Sequence, residues 1–389
     1  MSQIEKTDVC IIGAGPSGAA TSIMLSKSKI PHYIVDKSTF PRDKTCGDGL
    51  ILYAYKAMKL LGEELFEEFL KNPNFLHSKT IKLHINNSQN ITFRESEERD
   101  MVISYAKRLD FDYFLVNHLS RKYARQNFGD DVKEVKQLPE RVLVRLKSGK
   151  EILAKMVVGA DGANSIVSRK LAKNKVDLKL KSTFVSAYFK DVIDLSTDNC
   201  AEVRLIYKKT LLFFYVFPLA DGQVNVSLGG RSDLIKKNDI HLVDEINTII
   251  NSNNKVKHKF KNATKVSPWR GWTIPFHFKK QIITGNRFLL VGDAAGLANA
   301  FYKEGVGTGM MSGIIAAKNI ERCLKENNFS KTILKKYEID LANEFGKLLT
   351  FSKFMLRIAK FKRLFFIIIA FLKGRVERKS FKIIERRSY

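Results

Sequence analysis

The chain has 389 residues, room for about two domains of roughly 150 residues each. Its 44% hydrophobic content excludes a globally disordered chain. No apolar run approaches the roughly 20 residues that a membrane-crossing helix needs; the longest, LFFIIIAFL (Leu364 to Leu372), is flanked by Lys362, Arg363, Lys373 and Arg375.

Lys and Arg total 67 against 40 Asp and Glu, a net charge of +27. Such an excess suits a polyanionic surface, nucleic acid or anionic lipid; a chain that merely decorates its surface with lysine has the same composition. No RNA-binding motif accompanies the charge, so nucleic acid is not an expected partner. The four cysteines, Cys10, Cys46, Cys200 and Cys323, form no C-x-x-C pair and stand apart from the histidines, so no metal site is expected. With an N-terminus, MSQIEKTD, that runs straight into a strand, they predict a reducing, cytoplasmic setting.

In chain order, Asp8 to Ile12 (DVCII) reads as a strand entering GAGPSG, Ala19 to Ser26 as a helix and Tyr33 to Asp36 as a second strand, which together make a βαβ opening. The loop TFPRDKTCGDGL, Thr39 to Leu50, follows, then a helical stretch over 50–71. Lys79 to Phe93 alternates around a polar turn and reads as a hairpin; Leu109 to Arg125 reads as a helix. Arg141 to Leu146 and Glu151 to Val158 bracket a turn at SGK and run into GADG. From Lys181 to Thr284 short alternating strands dominate (FVSAYFK, AEVRLIYK, LLFFYVFPL, VNVSLGG), interrupted by a helix at Asp239 to Asn251. RFLLV, GDAAG and a small-residue helix to about Lys325 come next, and the tail beyond Phe329 reads as helical and basic.

GAGPSG places Gly13, Gly15 and Gly18 at the spacing of a dinucleotide fingerprint. The first glycine permits the tight turn, the second lets the backbone approach a pyrophosphate, and the third lets helix and strand pack closely. Asp36 ends the next strand about 20 residues on, where it can accept ribose hydroxyls. This string does not separate FAD from NAD; VVGADGANSIVSR (Val157 to Arg169) and FLLVGDAAG (Phe288 to Gly296) do. Each is a strand delivering an aspartate-glycine pair to its C-terminal end, where open α/β sheets bind ligands. Asp293 is expected to start a helix and to meet the ribityl hydroxyls of a flavin, with the helix N-terminus favouring negative charge on the reduced ring.

These three segments, in this order, resemble the flavoprotein group typified by p-hydroxybenzoate hydroxylase over about residues 1–325. The resemblance implies an α/β fold with an added antiparallel sheet. A discontinuous Rossmann-like FAD domain (1–78, 98–178 and 282–325) carries an inserted β-sheet substrate domain (79–97 and 179–281), and a helical basic tail (326–389) follows. It implies a loop at Asp161 and Gly162 near the pyrophosphate, and an arginine, Arg108 in AKRLDFDYFL, reaching the nucleotide. It also assigns to FAD Pro16, Ser17, Lys37, Arg42, Cys46, Gly47, Gly49, Leu50, Val132, Asp293, Gly305, Val306 and Gly307. No second fingerprint exists for a separate NAD domain, so the reductant, NAD(P)H or ferredoxin, is expected to visit transiently.

Within that group three stretches resemble the geranylgeranyl reductase branch: PRDKTCGDG, LFFYVFPLADGQVNVSLGG and GDAAGLANAFYKEGVGTGMMSGIIAA. Members of that branch saturate isolated double bonds of long prenyl chains. This chain departs from its pattern at Phe213 and Tyr215, where the branch has Tyr and Trp, at Ser227 in place of a glycine, and at Lys303 ahead of Glu304 and Gly305. Reducing an unactivated alkene needs a hydride, a proton on the other carbon and a dry apolar channel. Phe213, Tyr215, Phe217 and Pro218 are expected to line that channel, or else to be ordinary sheet core. Cys46 is the expected proton donor or pocket shaper near the flavin, because a thiol is protonated at neutral pH and Gly47 and Gly49 permit close approach; a small buried hydrophobe is the plainer alternative.

SPWRGWTIPF (Ser267 to Phe276) is similar to the W-x-W-x-I-P string of flavin-dependent halogenases, but Trp269 and Trp272 are spaced W-x-x-W, so it reads as a wall of the sheet domain. Phe345 to Arg375 interleaves apolar and basic residues at helical spacing. That pattern suits either peripheral contact with the inner membrane face or a helix packed on the FAD domain. The function expected is reduction of isolated C=C bonds in a prenyl or other long apolar chain. The alternatives are an FAD monooxygenase of an apolar or aromatic substrate and, in a different class, a membrane-associated flavin-binding protein.

Overall fold

The structure, a computed structural model, describes residues 4–85, 90–94, 103–175, 177–196, 198–276 and 281–368. Ile4–Ile12 lies between Glu151–Gly159 and His32–Asp36, parallel to both; Phe288–Leu290 and Ala124–Phe128 extend the sheet on either side. Central position explains the unbroken VCII run: parallel strands covered on both faces read as continuous apolar segments. On one face the helices Pro16–Lys27 and Val306–Lys325 pack against each other. They can do so because small residues meet: a methyl group at Gly313 would stand 2.4 Å from the Ser17 carbonyl oxygen. The small-residue sequence of the later helix is thus a packing requirement.

The second sheet runs Asn90–Arg94, Thr80–His84, Ala201–Tyr207, Leu211–Pro218, Val224–Arg231, Lys181–Lys190, with Arg270–Pro275 and Thr264–Lys265 on the outer edge. All its pairings are antiparallel except that of Thr80–His84 with Ala201–Tyr207. Leu211–Pro218 is buried at every residue. Phe214 and Val216 face the helix Leu242–Ser252 and its neighbours, while Phe213, Tyr215 and Phe217 share a cluster with Phe301, Met355 and Phe365. Two covered faces explain why LLFFYVFP does not alternate. Pro218, expected to line the channel with these aromatics, falls on the other face, since side chains alternate along a strand.

Several expected elements differ. The helix expected over Leu109 to Arg125 is Arg108–Asn117, and Ala124–Phe128 is the outer parallel strand. This strand has exposed polar residues, Arg125 and Gln126, and so lacks the apolar signal of its neighbours. The 50–71 helix is a short strand, Gly49–Ile51, followed by helices Tyr53–Leu61 and Glu63–Lys71, broken at Gly62 with φ 146°. Val132–Gln137 forms a strand beside Val142–Leu146 that the charged sequence VKEVKQ conceals.

The helix Lys331–Ile358 binds both halves together. Leu334, Tyr337, Leu341 and Phe345 pack into the core of the parallel-sheet domain, and the Tyr337 hydroxyl donates to the Leu290 carbonyl at 2.9 Å. Met355, Ile358, Ala359 and Phe365 pack into the cluster of the second sheet. The tail pattern beyond Ile368 lies outside the described residues.

One ionic cluster holds the middle of the second sheet. The Glu202 carboxylate is 2.6 Å from Lys259 Nζ, 3.1 Å from Arg204 and 3.3 Å from His84 Nε2. Burial alone would raise its pKa; hydrogen bonds from His84 and Lys259 and the charges of Lys259 and Arg204 outweigh burial and hold it well below the usual carboxylate range. A depressed folded pKa contributes stability above the unfolded value of about 4.3, lost as pH falls toward the folded one. Glu202→Gln should therefore cost about 3 kcal/mol at pH 7 by stranding two buried cations. In denaturant unfolding the gap to the wild type should close as pH is lowered through the acid range; a pH-independent gap would refute the ionic role.

Candidate active site

The glycine loop sits where the two central strands end. Gly13 has φ 102°, and a methyl group there would lie 2.4 Å from the Ala160 carbonyl oxygen, at the end of Glu151–Gly159. At Gly18 it would lie 1.9 Å from Gly13 O. Gly15 is different. It caps the N-terminus of Pro16–Lys27, and its missing side chain faces only Arg42 Nη2, at 3.4 Å. Open space, helix N-terminal N–H groups and a guanidinium are what a pyrophosphate requires.

Asp36 is buried at its strand end and accepts from the N–H groups of Ala14 (2.8 Å) and Ser38 (2.9 Å), with Arg42 Nε 4.0 Å away. Those bonds set the edge on which a ribose would rest. Arg42 Nη2 also reaches Asp112 at 3.1 Å. Asp112 is fully buried and forks with Arg108 through bonds of 2.6 and 2.7 Å. Burial works against the Arg108 charge, but Asp112 and Cys46 overcome it and lock the guanidinium in its charged form. Asp112 lies one turn beyond Arg108, a spacing that marks the pair in the sequence once Arg108 is known to point inward.

Lys44 was not expected in the site and lies at its centre. It reaches solvent, as a side chain on the wall of a concave cleft does, yet protein crowding and the Arg108 charge push its ammonium below the lysine range, while Asp293 and Asp112 oppose that. Asp293 occupies a single 3₁₀ turn, Gly292–Ala295, and does not start a long helix. That helix begins at Val306, and a methyl group at Gly305, its N-cap, would lie 3.2 Å from Asp293 Oδ1. The helix end is thus brought to the aspartate by the intervening loop. Burial raises the Asp293 carboxyl; Lys44, Arg108 and Lys181 pull it down.

The remaining expected cofactor residues divide. A methyl group at Gly292 would strike Ser17 Oγ at 2.2 Å, so Ser17 binds the two segments together. Asp161 Oδ2 accepts from the Ile166 N–H at 2.6 Å, its Oδ1 has no partner among the described residues, and Gly162 opens to empty space. Leu50 is core, Lys37 is exposed beside Asp36, and Val132 is a half-buried residue of the Val132–Gln137 strand. The cationic cleft, the open Gly15 and the unpartnered Asp161 oxygen fit FAD. Arg42 and Lys44 would hold its phosphates, Asp36 its ribose, and Asp293 its ribityl chain.

The loop carrying Cys46 lies against the second sheet. Asn225 Nδ2 donates to the Cys46 carbonyl at 2.9 Å and to Asp48 Oδ2 at 2.7 Å; a methyl group at Gly49 would strike the Phe217 ring at 2.9 Å. Burial raises the Cys46 pKa, with Arg108 opposing and Asp48 adding to it, so the thiol is neutral. Opposite stand the aromatics: Phe184 stacks on Tyr215 at 5.7 Å and on Trp272 at 5.4 Å, and Tyr215 stacks on Phe217 at 5.1 Å. Trp269 packs with Phe189 in the other cluster, so the two tryptophans sit in different walls.

The departures from the branch pattern have structural roles. Ser227 Oγ donates to Asn225 Oδ1 at 2.6 Å and orients the amide. Lys303 is buried over the rings of Phe213 and Phe276, 5.3 Å from each, and donates to Ser182 Oγ at 2.9 Å and to the Ala300 carbonyl. Burial and the Arg231 charge lower its pKa to about 7. Glu304, raised by burial to about 7, accepts from the Gly307 N–H at 2.6 Å. Asp48, Asn225, Asp112 and Lys44 were not singled out in the sequence, because each acts through a partner distant in the chain.

Residues 6–351 match the family described as FAD binding domain. Digeranylgeranylglycerophospholipid reductase 1 of Methanosphaera stadtmanae is 25% identical over 338 residues, covering 85% of this chain and 79% of that protein. The 1H-pyrrole-2-carbonyl-(peptidyl-carrier protein) chlorinase of Pseudomonas fluorescens is 24% identical over 360 residues, covering 85% of this chain and 79% of its own. The crystal structure of a geranylgeranyl bacteriochlorophyll reductase-like protein from Thermoplasma acidophilum superimposes with a TM-score of 0.80 at 18% identity, over 97% of this chain and 93% of that one. Because the family match takes in the βαβ opening, the second sheet and most of the Lys331–Ile358 helix, the chain belongs to the FAD binding domain family, among flavoenzymes that include both oxidoreductases and halogenases.

Proposed function

We propose that the protein is an FAD-dependent reductase of isolated C=C bonds in a prenyl-type or other long apolar chain. The observation that carries this reading is the Cys46 loop pressed, through Gly49 on the Phe217 ring, against a wall of stacked aromatics. Reduced FAD, when bound, supplies the hydride. Phe213, Tyr215, Phe217, Phe184 and Trp272 provide an apolar surface that excludes water and aligns a chain. Cys46 delivers a proton to the second carbon, and Arg108, hydrogen-bonded to its sulfur, steadies the thiolate left behind. The reductant, NAD(P)H or ferredoxin, docks transiently.

An exposed apolar and basic patch supports the same substrate class. No helix among the described residues is long and apolar enough to cross a membrane. Phe354, Phe361, Leu364 and Ile367 are nevertheless exposed, and Lys347, Lys353, Arg357, Lys360, Lys362 and Arg363 accompany them with no acid over 347–367. Aromatic contacts lead inward from this patch: Phe365 to Phe301 at 6.2 Å and Phe301 to Phe213 at 5.7 Å. Packed aromatic rings thus link this patch to the sheet, and a chain drawn from an anionic bilayer would enter by displacing them.

Anaerobic reduction of the holoenzyme, incubation with prenyl lipids and mass spectrometry should reveal products heavier by pairs of hydrogens. Products carrying added oxygen or halogen would overturn the reading in favour of a monooxygenase or halogenase. Cys46→Ala should keep its FAD and lose about 10²-fold or more in lipid-dependent flavin reoxidation; unchanged turnover would remove Cys46 from the chemistry. Lys44→Ala should weaken FAD binding by about tenfold or more, the worth of one charge-assisted hydrogen bond, as measured by flavin fluorescence titration. In a flotation assay the protein should bind anionic but not neutral vesicles, with binding weakened by salt and by Phe361→Ser.

A further inference from the structure

Behind Cys46 lies a polar group that the reaction described above does not use. Asp48 is buried, adopts φ 62°, and its carbonyl accepts from the Ala106 N–H at 3.0 Å. Its main chain hydrogen-bonds the Cys46 sulfur. Both donors that reach its carboxyl reach the same oxygen: Asn225 Nδ2 at 2.7 Å and the Tyr188 hydroxyl at 2.9 Å each donate to Oδ2. Oδ1 is buried and has no partner among the described residues. The Asn225 amide cannot turn around without losing the Ser227 hydroxyl, which donates to its oxygen.

With both donors on Oδ2, Oδ1 is the oxygen free to carry a proton. Oδ2 plays the carbonyl part, and the proton belongs on Oδ1. An ionised carboxylate with one oxygen buried and unpaired would bear a large desolvation cost. A buried acid kept neutral beside a reacting centre is a known way of holding a proton in place at neutral pH.

We propose that Asp48 is the proton reservoir for Cys46, returning a proton to its sulfur after the thiol has protonated the substrate. The proposal rests on the reductase reading and deepens it. Per double bond, one carbon receives a hydride and the other the Cys46 proton. The thiolate takes the Asp48 proton, and the Asp48 carboxylate is reprotonated from water once product leaves. At each stage one negative charge is present, and Arg108 lies beside both groups. The groups facing Asp48 are Tyr188 and Asn225 from the sheet, Arg108 from its helix, and Asp43 and Cys46 from its own loop; Lys107 lies over the Tyr188 ring at 4.9 Å. Burial raises the carboxyl to about 7, against the pull of Asn225, Tyr188 and Arg108.

The test is Asp48→Asn, which keeps an acceptor for Tyr188 and removes the proton. Infrared spectra of the holoenzyme should contain a protonated-carboxyl band that titrates near pH 7 and is missing in the variant. With a geranylgeranyl lipid, the variant should show a burst of one turnover and then a rate about tenfold or more below wild type. The wild-type fall in steady-state rate as pH rises through 7 should vanish in the variant. Wild-type steady-state turnover in the variant, or a carboxylate still ionised well below pH 7 in the wild type, would overturn the proposal. If the variant fails to fold, Tyr188→Phe serves instead: it strips one donor from Oδ2 and should shift the band, and an unmoved band counts against the geometry. If the wild-type enzyme converts no prenyl lipid, the reductase reading fails by itself, and the infrared titration still decides whether Asp48 holds a proton.

Discussion

The Asn225 amide donates from a single nitrogen to the Cys46 carbonyl and the Asp48 carboxyl, and so ties the loop of one sheet system to a central strand of the other. Asn225 and Asp48 are buried, and a lost donor there would strand two acceptors at once. It decides where the thiol stands relative to the aromatic wall. Ser227 and Tyr188 complete the network from the same sheet, so the position of the loop follows from the register of Lys181–Lys190 against Val224–Arg231.

On the nucleotide side the organising force is charge confined in a low-dielectric cleft. Asp112, wholly buried, is shared between Arg42 and Arg108, and Arg108 in turn reaches Cys46. Lys181, which is buried, and Lys44, on the solvent-reaching wall of the cleft, both stand near Asp293. A cleft with an excess of cations suits a dinucleotide better than an apolar ligand. The same loop therefore meets both parts of the fold, with Arg42 paired to Asp112 and Asp36 and the Cys46 carbonyl held by Asn225 of the second sheet.

Legibility in the sequence followed how local each signal was. The glycine fingerprint, the strand-ending Asp36 and the two aspartate-glycine segments depend on short-range geometry, and the structure brings them to one edge of the parallel sheet. Ala124–Phe128 and Val132–Gln137 were hidden, because an exposed edge strand needs no apolar alternation. Pro218 was misplaced for a related reason: a strand buried on both faces offers no pattern to say which residues share one.

The sequence by itself determined the βαβ opening, the order of the nucleotide segments, the aromatic character of the inserted sheet and the presence of a thiol on the glycine-bearing loop after the second strand. These are written in contiguous residues whose backbone demands are nearly independent of context. Only the tertiary structure decided that Lys44 shares the cleft with Asp293, that Asp112 sits between two arginines, and that Asp48 meets Tyr188 and Asn225 from strands 140 and 177 residues away. Burial and long-range pairing set the charge and proton content of these groups, and neither can be read from a residue's immediate neighbours.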